Sequence, residues 1–299
     1  MSTNSYLLCR RGFSIGYWSI IMIAAILFFA QLLPQFIAAG YKEAVQLMGT
    51  TSTLVMWAFP LLQFLLAAGV ALIMSAPRSA KVHPWGVAYL IFTAFAFLWP
   101  SVVYVLNLSN TWLASGMGGF GYPTIVPCIQ TWLFSGMVFQ LCTWRQAESA
   151  QFREMSSQGG NLQDEWEKPV SGLRFVLWTG GLFLTGWLVL YYLPILIPKL
   201  SIYYVRFFRV LMILPQFGTF FLMLLLGVFA GRAYPINRLL KGLLSEQDSE
   251  ESSTMSAMVA NREGSYAPIA WGLFGLVVFS IGSYLGSQRL LAPKYAAKQ

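Results

Sequence analysis

Four prolines in this chain stand beside a glutamine or three residues ahead of one: Pro34 with Gln35, Pro60 with Gln63, Pro127 with Gln130, and Pro215 with Gln216. Each pair falls within a long apolar run. There a proline leaves a backbone carbonyl without its helical N–H, and an amide brings both a donor and an acceptor. Such an amide can donate to the freed carbonyl or to a neighbouring helix, which makes it packing glue; a row of amides can also line a path for a neutral or weakly polar solute. Two of the sites repeat, because Pro60/Pro127, Gln63/Gln130 and Gly69/Gly136 are all offset by 67 residues.

Other chemistry is poorly provided for. The apolar runs hold no Asp, Glu, Lys, Arg or His well inside them, whereas intramembrane ionisable groups mark proton relays and ion-coupled transport. The last run has no central lysine for a Schiff base, and a lone histidine excludes bis-histidine haem ligation. That residue, His83, stands beside Pro84 and reads as a loop residue. Cys9, Cys128 and Cys142 show neither a CxxC nor a metal-ligand spacing. Cys128 and Cys142 share one predicted helix, which separates them by about 20 Å and rules out a disulfide between them. The glycines at 116, 118, 119 and 121 lack the lysine and following helix of a phosphate loop and read as a flexible turn. No catalytic, cofactor-binding or metal-binding residue is expected, and no cofactor.

The elements that position the amides follow from composition. Of 299 residues 57% are hydrophobic and 10% charged, with mean hydropathy +0.61, against about 25% charged in an ordinary globular domain. Pro84 to Trp144 contains no Lys, Arg, Asp or Glu. At about 20 apolar residues per crossing it spans a bilayer twice, turning at the Ser, Asn and Gly residues of 107–121. The remaining runs add helices to this hairpin. The expected fold is an all-α, polytopic integral membrane bundle of about seven transmembrane helices in a single domain. Its spans lie near 15–39, 53–74, 85–106, 122–144, 175–198, 210–231 and 267–288, with polar segments at 145–172 and 232–266. Arg10 and Arg11 resemble a twin-arginine export signal, but the apolar run after them is too long for one and reads as a retained first span.

Within the polar segments, SSQGGN at 156–161 reads as a helix break, and 236–243 as a short amphipathic helix in the headgroup plane. The run SEQDSEESS at 245–253 has nothing apolar to bury and reads as a linker. Tyr191 and Tyr192 suit the interface, and Pro194 and Pro198 bend or end the fifth span. Gly227/Gly231 and Gly282/Gly286 allow close helix approach. The sequon at Asn107 sits against the membrane, where it goes unused.

The net charge of +8 does not point to nucleic acid, because the basic residues flank apolar runs, where they meet headgroups. Twelve of the 19 fall on the side of the N-terminus, the 2–3, 4–5 and 6–7 connections. The positive-inside rule makes that side cytoplasmic.

The stretches LLPQF at 32–36 and ILPQF at 213–217 resemble the proline-glutamine pair of the PQ-loop transporters. That resemblance implies seven helices in two triple-helix bundles, with the pair in the first helix of each, and facilitated transport. It covers about ten residues of 299. The second pair falls in the sixth span rather than the fifth, and the predicted N-terminus faces the opposite side.

Two functions therefore compete: a non-catalytic subunit or scaffold embedded in a larger membrane assembly, partnered by lipid and other membrane subunits, and a facilitative permease. For the orientation, a single cysteine at Ser115 should be labelled from outside the cell and one at Ser157 should not. The reverse pattern contradicts the assignment.

Overall fold

The computed structural model describes residues 3–33, 58–75, 81–105, 122–148, 161–196, 217–218, 220–230 and 266–296. Among these residues the chain is all-helical, with no strand. The helices are α1 (Thr3–Leu27, continued by a π-helical turn at Phe28–Leu32), α2 (Ala58–Ile73), α3 (His83–Val105), α4 (Tyr122–Glu148), α5 (Asn161–Leu196), α6 (Phe220–Ala230) and α7 (Ala267–Ala296). By length and composition two of them can cross a membrane, α1 over Arg11–Ala30 and α7 over Ala267–Gly286. Shorter apolar helices are Ala58–Ile73, His83–Trp99 and Phe220–Ala230. The 107–121 turn, the 236–243 helix and the 245–253 linker read from the sequence lie outside the described residues.

Local signals account for several boundaries. Three helices carry proline at their second residue, Pro84 in α3, Pro123 in α4 and Pro268 in α7. In the first turn its missing N–H has no helical partner to lose and its fixed φ is already helical. This corrects the loop reading of His83, which opens α3 and is buried, its ring 4.3 Å from that of Tyr266. Helix α5 starts at Asn161, well before the apolar run, and passes through Pro194 to Leu196. The end of the 145–172 polar segment is therefore helix; its Leu, Gln, Glu and Lys residues favour helix, and the helix continues through Pro169 as it does through Pro194. At about 1.5 Å per residue α5 is roughly 54 Å long, more than a bilayer's hydrocarbon thickness. At the other end of the chain's first helix, the Leu33 N–H bonds the Phe28 carbonyl, a π-type closure directly ahead of Pro34 in sequence.

Side-chain contacts show that α4 and α5 run in opposite directions, as do α1 and α6. Trp132 Nε1 of α4 donates to the Leu177 carbonyl of α5 at 2.8 Å, and Arg174 lies over the Phe139 ring. Tyr17 of α1 donates to the Gly227 carbonyl of α6 at 3.1 Å, while Phe28 stacks on Phe220 at 5.4 Å. By contrast α3 and α7, both odd-numbered, run parallel, joined by His83 with Tyr266 at one end and Phe97 with Tyr284 towards the other. The main apolar cluster is fed by all seven helices, with Ile20, Leu66, Tyr89, Leu90, Phe97, Phe134, Met137 and Leu226 fully buried; a second, smaller one joins α4, α5 and α6 through Cys128, Val176, Leu184 and Leu222. Cys9, Cys128 and Cys142 are buried.

The closest approach joins α1 to α2. A Cβ added to Gly69 would sit 2.7 Å from the Gly12 carbonyl oxygen and 2.9 Å from the Gly16 nitrogen, so here backbone lies on backbone. Gly136, its counterpart in the 67-residue offset, instead lies against the indole of Trp85. The close approaches expected at Gly227, Gly282 and Gly286 are not made among the described residues: a Cβ there meets nothing within 4 Å. The small-residue pattern permits contact, but those three positions face away from their neighbours. Replacing Gly69 by Ala should cost about 1–3 kcal/mol, because neither opposing backbone atom can give way as a side chain would. Gly275→Ala, with open space around it, should be neutral or slightly stabilising. Unfolding of the two variants in mild detergent checks the contrast.

Candidate functional site

Two of the four proline-glutamine sites meet in the interior. Pro60 and Gln63 lie on α2, Pro127 and Gln130 on α4, and all four are buried. Pro34, Gln35, Pro215 and Gln216 lie outside the described residues. Gln63 and Gln130 are each 0% exposed, so neither lines a water-filled channel in this conformation. They converge on α3, from which Tyr89 and Thr93, one turn apart and equally buried, face them.

Tyr89 Oη donates to Gln63 Oε1 at 3.5 Å, and Gln130 Nε2 donates to Thr93 Oγ1 at 2.9 Å. Each amide is thus joined to one hydroxyl of α3, Gln130 of α4 to Thr93 and Gln63 of α2 to Tyr89. Each amide contributes only one of its two ends. Gln63 Nε2 and Gln130 Oε1 are buried without a hydrogen-bond partner.

The two prolines stand three residues before their glutamines. Pro127 lies inside α4 and removes a helical N–H from the turn before Gln130, whereas Pro60 is the third residue of α2, in the first turn, where that N–H has no helical partner to lose. Of the two roles an amide near a membrane proline can take, Gln130 shows the second: it reaches Thr93 on the neighbouring helix. Sequence reasoning singled out the glutamines and missed Tyr89 and Thr93. Their signal was a pair of polar-tipped residues at i, i+4 in an otherwise apolar run, which put both hydroxyls on one face of α3.

None of the four side chains carries a formal charge, and the contacts they make with one another are neutral hydrogen bonds. Among the described residues no three His, Cys, Asp or Glu side chains lie together as a metal cage. Comparison with known proteins leaves the chain without a counterpart: no protein-family model, no curated protein and no solved structure matches it.

A double-mutant cycle measures the cohesion that the bond from Gln130 to Thr93 supplies. Thr93→Val and Gln130→Leu should be coupled by about 0.6 kcal/mol, the average for hydrogen bonds between helices in a membrane. Unfolding of the four proteins by titration with denaturing detergent reads the coupling. Strict additivity would show that the 2.9 Å bond contributes nothing to cohesion.

Proposed function

We propose that this is a non-catalytic multi-pass membrane protein whose seven helices cross the bilayer, acting as an embedded subunit or scaffold of a larger membrane assembly. The observation that carries the reading is the apolar exterior. Trp18 of α1, Trp178 and Leu182 of α5, and Phe279 of α7 are 61–70% exposed. Phe29, Leu61, Ile91, Phe95 and Phe221 also face outward. Burying such surface is worth about 25 cal/mol per Å², and soluble monomers rarely expose contiguous apolar patches beyond a few hundred Å². Hydrocarbon tails or other helices are the environment in which these faces carry no penalty.

The N-terminus is assigned to the cytoplasm, together with 75–84, 145–172 and 232–266. The excess of basic residues on that side supports this. That topology also requires these ends to lie on one side, as the contacts of Cys9 with the Ile73 carbonyl and of His83 with Tyr266 allow.

Helix α7 supports an assembly in particular. It packs on α3, and its Phe274 meets Phe64 of α2. Gly272, Gly275, Gly282 and Gly286 leave open space on its surface, where another helix can approach closely. Purification in mild detergent should retain a second membrane protein at fixed stoichiometry. Replacing Gly282 and Gly286 together by Leu should release that protein without lowering the melting temperature. A lone monomer in the wild type contradicts the subunit reading and favours a facilitative permease that works alone.

A further inference from the structure

The amide of Gln130 sits where only half of it is served. Its Nε2 donates to Thr93 on α3 at 2.9 Å, while Oε1 is buried with no hydrogen-bond partner, packed so closely that no water fits beside it. Turning the amide over exchanges the two ends and leaves one of them spare all the same. An unmatched buried end costs more than one ordinary hydrogen bond returns, so this turn of α4 is opposed by its own side chain. Apolar packing holds it closed, through Phe134 and Met137 in the main cluster and through Cys128 with Val176, Leu184 and Leu222 in the smaller one.

One turn before Gln130, Pro127 interrupts the backbone of α4. The carbonyl four residues earlier receives no N–H from it, and its ring presses on the preceding turn, so the helix bends here at reduced cost. A long helical side chain lies over the turn before its own Cα, and for Gln130 that is the turn of Pro127. A bend at the proline therefore uncovers the amide and lets water reach Oε1. Gln63 also has a spare end, but Pro60 stands in the first turn of α2 and gives no such bend.

We propose that this conformation is the closed state of a gate, and that α4 opens by bending at Pro127, which parts it from α3 and wets Gln130. The spare end of Gln130 drives opening, and the apolar packing of α4 drives closing. Thr93 does not resist release, because its hydroxyl can turn to the carbonyl four residues back in α3, as those of Ser19, Ser135 and Ser280 do in their own helices. The gate does not depend on the subunit reading: it stands on these side chains whether or not the protein has a partner.

Cys128, next to the hinge proline and 1% exposed, is a built-in probe, since the bend draws it from its contacts. With the full chain in lipid nanodiscs, and Cys9 and Cys142 replaced by Ala, iodoacetamide should alkylate Cys128 in the folded protein faster than global unfolding allows. Gln130→Met keeps the length of the side chain, removes the spare end, and should slow that reaction at least tenfold. Pro127→Ala, which restores the N–H, should slow it as well. Cys142 lies about 20 Å further along α4, and its alkylation, in a chain where Cys9 and Cys128 are Ala, should change in neither variant. The gate is overturned by a Cys128 that reacts no faster than the protein unfolds, or by an unchanged or raised rate in Gln130→Met. Equal slowing at Cys142 also overturns it, because the substitution then stabilises the whole fold rather than one turn. If Gln130→Met does not fold, the wild-type rate and Pro127→Ala decide.

Discussion

The contact of Gly12 and Gly16 with Gly69 sets the height of α2 against α1, and much of the interior follows from that height. With backbone on backbone, α2 cannot slide along α1 without driving a carbonyl into a neighbouring chain. Once α2 is held there, Met74 fits over Gly86 at the start of α3, and Gln63 comes level with Tyr89. Close backbone packing of this kind contributes many short dispersion contacts to the cohesion of the two helices. Glycine costs an exposed helix up to about 1 kcal/mol relative to alanine. Here that cost is offset by an approach that no other residue allows.

The interior uses its few polar side chains economically. Ser19, Ser135 and Ser280 each bond the carbonyl four residues back in their own helix. These hydroxyls are satisfied locally and place no demand on neighbouring helices. The indole of Trp132 and the hydroxyl of Tyr17 do the opposite, reaching helical carbonyls on α5 and α6. The amides of Gln63 and Gln130 fall between these cases, each with one end used and one end spare.

Much of the helical layout was legible in the sequence because uncharged runs and prolines are local signals. The proline that opens α3, α4 and α7 marks each start within a residue or two. The beginning of α5 was not legible, since the charged residues of 161–174 look like loop to any reading based on hydropathy, although their helix propensity is good. The candidate site was half legible. Gln63 and Gln130 stood out as amides in apolar runs, but their common partner helix depends on tertiary packing, and Tyr89 and Thr93 look ordinary in α3. The matched glycines show the same limit. Gly69 and Gly136 occupy equivalent places in the offset pattern, yet one meets a backbone and the other an indole, because the identity of the facing helix is absent from local sequence.

The hydrogen bond from Tyr17 to Gly227 spans 210 residues. At a synthesis rate of about 5–20 residues per second, the carbonyl is made roughly 10–40 s after the hydroxyl it receives. For that interval α1 has no α6 to lean on, but α2, made directly after it, already supplies the backbone contact at Gly12 and Gly16. The Tyr17 bond is thus a late clasp on a helix pair already formed, and it ties the sixth helix back to the first.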